Sequence, residues 1–280
     1  SPKAMRRLGS QALADVVQVL RSRRGERELR RAGAAGEPTG GTRPWQFGDS
    51  EPWDVPRTVR NSVLRRAATS GAGPLLTVED IDVVDTEQRA RAAVALCVDT
   101  SWSMVQDGLW VPMKRTALAL HLLVRTRFRS DALELITFGR HAQRVDIAEL
   151  TGLAGVWEQG TNLHHALLLA GRHLRRHPDA AHVLLVVTDG EPTAHLEPDG
   201  EAVFSYPPQP QTLALTVREM DGLARTGTAV SIVMLGTDPR LAGFVHALAR
   251  RCGGRVLAPG VDDLGAAVVG DYLRHRKRRT

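Results

Sequence analysis

From Arg91 onward the sequence alternates short, nearly continuous apolar runs with longer stretches of helical periodicity. The runs are Ala93–Val98, Ala132–Phe138, His182–Thr188 and Ala229–Leu235, with a shorter one at Arg255–Ala258. Between them the spacing predicts helices near Val111–Arg127, Leu163–Arg176, Gln211–Arg225, Pro239–Cys252 and Val261–His275. A strand that is apolar throughout must be covered on both faces, and intervening helices supply the crossovers that parallel strands need. The expected fold class is therefore α/β, a doubly wound, mostly parallel sheet with helices on both faces. In such sheets ligands bind beyond the carboxyl ends of the strands, at the switch point.

The residues before this region read differently. Leu13, Val16, Val17 and Leu20 recur at helical spacing, and arginines follow at 21, 23, 24, 27, 30 and 31, which predicts a basic helical arm over residues 1–32. Residues 33–73 are expected to be a Gly/Pro-rich linker with aromatic anchors at Trp45, Phe47 and Trp53 and a short helix over Arg57–Arg66, and no packed domain is expected there. Residues 74–280 are assigned to the main domain, including a lead-in strand over Leu75–Val84 and the C-terminal helix. The chain begins Ser1-Pro2 without a methionine, which fits a piece of a longer protein.

The 280 residues carry a formal charge of +6, a value that invites a nucleic-acid or anionic-membrane partner. Its distribution argues otherwise. Residues 1–73 hold 14 Lys/Arg against 7 Asp/Glu and residues 271–280 hold 5 against 1, which leaves the body between them at −5. A nucleic-acid scaffold that binds through its basic termini is the second reading, although the aromatic interleaving of single-strand recognition is absent from the arm and from the tail Arg274–Arg279. No apolar run reaches the ~18–20 residues of a membrane span, so no membrane insertion is expected. Cys97 and Cys252 form neither a zinc spacing nor a disulfide framework, and with no secretory signal at the start the expected location is the cytoplasm.

Three loops fall at the predicted carboxyl edge. After the first apolar run comes Asp99-Thr100-Ser101-Trp102-Ser103, in which Asp99, Ser101 and Ser103 form Asp-x-Ser-x-Ser. Gly160-Thr161 opens the second predicted helix, and Thr188-Asp189-Gly190-Glu191 closes the third run. Together they offer two carboxylates and three hydroxyls with no nitrogen or sulfur donor, which is a site for a hard cation. Mg²⁺ is the expected cofactor, with Mn²⁺ or Ca²⁺ as alternatives. Mg²⁺ seeks six oxygens at about 2.0–2.1 Å, so a site of this composition leaves a position open for an Asp or Glu carboxylate from a partner protein.

These three motifs in this order resemble a von Willebrand factor A (VWA) domain with a metal-ion-dependent adhesion site, over roughly Arg91–His275. The resemblance implies a Rossmann-like sheet, with Ser101 and Ser103 binding the metal directly and Asp99, Thr161 and Asp189 binding it directly or through water. Met113-Lys114-Arg115-Thr116, Gly160–Leu167, Thr188–His195 and Met234-Leu235-Gly236 further resemble intracellular bacterial VWA proteins related to the integrating subunit of magnesium and cobalt chelatases. That likeness implies an AAA+ ATPase partner of the MoxR type, and a non-enzymatic role is expected because the motifs of competing chemistries are missing. Trp102, Gly160, Glu191 and His195 are assigned to a partner-binding rim around the metal.

Competing chemistries lack their signatures. There is no Gly-x-Ser-x-Gly elbow to activate a serine and no Gly-x-x-x-x-Gly-Lys-Ser/Thr phosphate loop. His164, His165, His173, His177, His182 and His195 have no zinc-ligand spacing and are expected at the surface or at helix ends. The acidic, Pro-rich segment Glu191–Pro210 is expected to be a long loop that shapes the partner surface.

Overall fold

The computed structural model describes residues 9–16, 18, 38–45, 53–69, 73–86, 91–152, 159–236 and 239–277. It divides into two compact units, one of residues 1–32 with 90–280 and one of residues 33–89.

The larger unit is built on β3 (Ala92–Asp99), β4 (Ala132–Phe138), β5 (Ala142–Val145), β6 (Ala181–Thr188), β9 (Ala229–Met234) and β10 (Arg255–Leu257). The strand order is β10-β9-β6-β3-β4-β5, with every neighbouring pair parallel except the edge strand β5. The helices are α2 (Trp102–Gln106), α3 (Trp110–Arg127), α4 (Ile147–Gly152), α5 (Leu163–Arg175), α6 (Pro210–Arg225), α7 (Pro239–Cys252) and α8 (Leu264–Lys277). The α/β expectation of a doubly wound sheet holds.

Strand β3 shows why. It is buried along its whole length, and its side chains divide by pleat. Val94, Leu96 and Val98 pack with Met113, Ala117 and Leu120 of α3 and Val268 and Tyr272 of α8. The smaller Ala93, Ala95 and Cys97 face Leu163, Ala166 and Leu167 of α5. From β3 the chain crosses by α3 to β4 on one side, then by α5 to β6 on the other. The crevice between the carboxyl ends of β3 and β6 is thus the switch point.

The segment Glu191–Pro210 is not the open loop expected from its composition. It folds into an antiparallel hairpin of β7 (Ala194–Leu196) and β8 (Ala202–Phe204). The helical arm is present over residues 9–16 and buries Ala12 and Val16 in the core layer beneath α3 and α8. Gly265 of α8 makes this possible, because a Cβ there would lie 2.5 Å from Val16 Cγ2. The arginine run at 21–31 lies outside the described residues. Arg276 of the basic tail is occupied by Asp131.

The smaller unit corrects the expected linker. β1 (Pro38–Pro44) pairs antiparallel with β2 (Asp82–Thr86), so the lead-in strand ends a separate unit and does not join the main sheet. Between them α1 (Val55–Ala68) starts at Asp54, whose carboxylate accepts from Arg57 N at 3.1 Å. Arg65 of α1 grips buried Asp80 with Nε at 2.9 Å and Nη2 at 2.8 Å. The boundary drawn at 73/74 therefore moves to about 89/90. The sequence Pro-Thr-Gly-Gly-Thr-Arg-Pro has no apolar alternation, and its pairing rests on backbone hydrogen bonds that composition does not announce.

Candidate metal centre

Asp99 is the last residue of β3 and is fully buried. Its Oδ1 accepts from Ser101 N at 2.9 Å, a local turn that folds the loop back over the strand end. Thr100 N donates to Phe138 O at 2.9 Å and ties the same loop to β4. Ser101 is the N-cap of α2, yet its hydroxyl makes no capping bond. It lies 3.1 Å from Ser103 Oγ, so two hydroxyl oxygens converge where an N-cap serine usually serves the helix.

Asp189 follows β6, directly across the crevice. Thr188 bridges the two acids in sequence and space, since its hydroxyl donates to Asp99 Oδ2 at 2.7 Å. Both Asp189 oxygens are buried and have no hydrogen-bond partner among the described residues. The Ser103 hydroxyl is near enough to lower the Asp189 pKa without meeting hydrogen-bond geometry. Thr161 comes from the third loop. A Cβ on Gly190 would sit 3.6 Å from Thr161 Oγ1, which brings the Gly-Thr loop against the Asp189 loop. Asp99, Ser101, Ser103, Thr161 and Asp189, separated by up to 90 residues of sequence, thus meet at one point.

The electrostatics are those of a site short of positive charge. Burial pushes Asp99 up to about 7, and the Asp189 charge adds to that rise while Thr188 and Ser101 oppose it. Burial likewise pushes Asp189 up to about 6. Burial and the Asp189 charge raise Asp99, and burial and the Asp107 charge raise Asp189, so holding both carboxylates ionised is costly and a cation between them removes the cost. The donor set therefore fits a divalent metal: two carboxylates and three hydroxyls, with both oxygens of the Asp189 carboxylate buried and unused as acceptors among the described residues. Among the described residues there is no group of three or more His, Cys, Asp or Glu that could hold a metal.

The predicted rim is only partly present. Trp102, on α2 between the two serines, is 41% exposed, whereas Trp110 is buried in the core. Glu191 is half-buried. Gly160 has φ +119°, and a side chain there would press on Phe204 of β8 at 3.2 Å, so glycine lets the hairpin close on the loop. His195 does not belong to the rim. It is fully buried, with Nδ1 2.8 Å from Thr212 Oγ1 and Nε2 3.1 Å from Glu197 Oε1, and it pins the hairpin to the first turn of α6. His164 and His173 are buried as well: His164 Nδ1 accepts from Leu196 N at 3.2 Å, and His173 Nδ1 lies 2.7 Å from Glu134. Both lie in the end turns of α5, where helix-end histidines are expected, but they are not at the surface, because each ring satisfies a polar group of a neighbouring element.

Two supporting residues escaped the sequence reading. Thr188 holds Asp99, and its place at the end of an apolar strand was a visible signal. Thr193 accepts from Thr161 N at 2.9 Å, and Thr193 N donates to Thr161 O at 3.1 Å, so the hairpin sets the Gly-Thr loop. No sequence pattern marks that pairing.

Comparison with known proteins agrees with this architecture. Residues 92–273 match the family described as Rv0959-like protein, vWA domain, and residues 37–86 match its third domain. The chain is 66% identical over 282 aligned residues to the uncharacterized protein Rv0959 of Mycobacterium tuberculosis and equally to Mb0984 of Mycobacterium bovis. The match covers 99% of this chain but 42% of those relatives, so the chain spans well under half their length. Among solved structures, the D319A mutant of the PilB minor pilin from Streptococcus sanguinis superposes with a TM-score of 0.56 at 14% identity, covering 70% of this chain and 65% of that one. The vWF domain of the type V pili tip protein Mfa5 from Porphyromonas gingivalis gives 0.52 at 10% identity, covering 69% and 97%. At these identities the likeness establishes the fold alone. The fold and the match over residues 92–273 place the chain in the Rv0959-like protein family, with its larger unit as that family's vWA domain.

Proposed function

We propose that this chain is a non-enzymatic, Mg²⁺-dependent protein-binding module that takes up an Asp or Glu carboxylate from a partner protein. In this reading it acts in the cytoplasm with a MoxR-type AAA+ ATPase, as an adaptor or as a chelatase-like, chaperone-like subunit. The observation that carries the metal reading is Asp189, whose two buried oxygens lack hydrogen-bond partners among the described residues while Asp99, Ser101, Ser103 and Thr161 surround the same crevice. A bound divalent cation supplies an electrophile for the incoming carboxylate. The chain's own residues do the rest: Thr188 fixes the Asp99 carboxylate, the Ser101 turn aims the two hydroxyls, and the hairpin holds Thr161 through Thr193. Exposed Trp102 offers the partner an apolar surface beside the metal. The ATPase partner rests on the motif resemblance at Gly160–Leu167, Thr188–His195 and Met234–Gly236.

Calorimetric titration of Mg²⁺ into the wild type, Asp99→Ala and Asp189→Ala tests the site, with circular dichroism as the fold control. Binding is expected in the wild type and lost in both variants. Unchanged affinity in both removes the assignment. A pull-down from a bacterial lysate in Mg²⁺ and in EDTA tests the partner: recovery of an AAA+ ATPase in the Mg²⁺ arm alone is expected, and equal recovery in EDTA rejects the metal bridge.

A further inference from the structure

The rim of the centre carries a cation that the metal reading does not use. Arg140 stands in the turn between β4 and β5, exposed, and forms no ion pair among the described residues, whereas Arg144 four residues on is paired with Glu134 at 3.0 Å. Its backbone is locked to the Gly-Thr loop. Asn162 Nδ2 donates to Arg140 O at 2.9 Å, Asn162 N donates to Gly139 O at 2.8 Å, and Arg140 Cα lies 3.5 Å from where a Cβ on Gly160 would be. Gly160 and Asn162 flank Thr161, so the arginine is fastened on both sides of a candidate metal ligand.

Charge decides what this arginine can serve. With a divalent cation, Asp99 and Asp189 leave the centre close to neutral, and one partner carboxylate makes it negative. A second carboxylate would then be repelled unless a cation stands beside it, and the guanidinium fork matches carboxylate geometry. We infer that Arg140 is a second carboxylate anchor, and that the partner is an acidic segment presenting two carboxylates, one to the metal and one to Arg140. The need for a second cation rests on the proposed function, whereas the fastening of the Arg140 backbone to the Gly-Thr loop does not.

Two peptides probe it: acetyl-Gly-Glu-Gly-Glu-Gly-amide and its counterpart with Gln for the second Glu. In an extended peptide, alternate side chains share a face about 6.6 Å apart. In Mg²⁺ the wild type is expected to bind the two-Glu peptide about fivefold more tightly, the scale of one exposed ion pair. Arg140→Gln should erase that preference while Mg²⁺ affinity, measured with the metal alone, stays unchanged. A preference that survives in Arg140→Gln overturns the inference, as does failure of the wild type to bind either peptide or to prefer the two-Glu one. A preference that depends on Arg140 but persists in EDTA overturns the metal bridge and leaves the arginine anchor standing.

Discussion

The larger unit buries acids at both ends of its sheet and treats them in opposite ways. At the amino ends of β3 and β4, Asp131 accepts from Ala92 N at 3.1 Å, from Tyr272 Oη at 2.6 Å and from Arg276 Nε at 2.6 Å, and Arg276 also lies over the Phe128 ring at 4.4 Å. Beneath β9 and β10, Asp271 is ion-paired with Arg255 and His275. Burial works against the charged Asp271, but the nearby His275 and Ser231 and the His275 and Arg255 charges outweigh it and hold its pKa low, although neither carboxylate oxygen meets hydrogen-bond geometry among the described residues. At the carboxyl ends, Asp99 and Asp189 have hydroxyls and each other, and both are pushed up. One end carries its cations in the chain, and the other has none paired with its acids among the described residues. A buried acid paired with an internal cation is costly to break from one side, whereas a buried acid without a cation is a candidate ligand site.

The largest effect that tests this contrast is the removal of each acid in metal-free protein. Asp131→Ala strands the nearly buried Arg276 and is expected to cost about 3–5 kcal/mol in urea denaturation, the usual penalty for breaking a buried pair from one side. Asp189→Ala removes an unsatisfied carboxylate and is expected to leave stability unchanged or raise it. Equal destabilisation by both variants would abolish the distinction between the two ends.

Mg²⁺ should restore the balance at the carboxyl end only. At 100 times its dissociation constant the metal stabilises the wild type by about 2.7 kcal/mol, read as a rise in Tm relative to EDTA, and Asp189→Ala should show no such rise. A smaller effect is expected for Thr188→Val, which keeps the shape but removes the hydroxyl held 2.7 Å from Asp99 Oδ2. The loss of this buried hydrogen bond should cost about 1–3 kcal/mol and weaken Mg²⁺ binding, measured by calorimetry. A Thr188→Val protein with native Mg²⁺ affinity would show that Asp99 needs no positioning.

The parts of the molecule that were legible in sequence are those where one segment determines its own state. β4 and α7 fall on their predicted bounds, because an apolar run between polar flanks fixes the strand, while Pro239 starts and Gly253 at φ +63° ends the helix. The five candidate ligands were legible for a related reason: each follows directly from a strand end or opens a helix. What escaped depends on a distant partner. β1 acquires its identity from β2 some 40 residues later, and the hairpin β7–β8 arises in a Pro-rich segment whose packing against Gly160 only the fold reveals. His195 has the composition of a rim residue and the surroundings of a core one, since Thr212 and Glu197 satisfy both of its nitrogens.

The smallest predicted effect asks whether the rule of internal cations extends to the second unit. Asp80 is buried and held by Arg65, and by the Thr77 backbone at 2.8 Å. The Arg65 hydrogen bond is the main cause that lowers its pKa to about 2. A carboxylate whose pKa is depressed by folding contributes stability above its unfolded value, near 4, and loses it as pH falls toward 2. Arg65→Gln removes the partner, so wild type and variant should differ above pH 4 and converge as the pH approaches 2, read by hydrogen exchange of the α1 amides. The sign is opposite to that of a carboxylate pushed up by burial, which is stabilised on acidification. A gap between wild type and Arg65→Gln that stays constant from pH 5 to pH 2 would mean that Arg65 acts by packing its aliphatic stem and not as the cation of a buried acid.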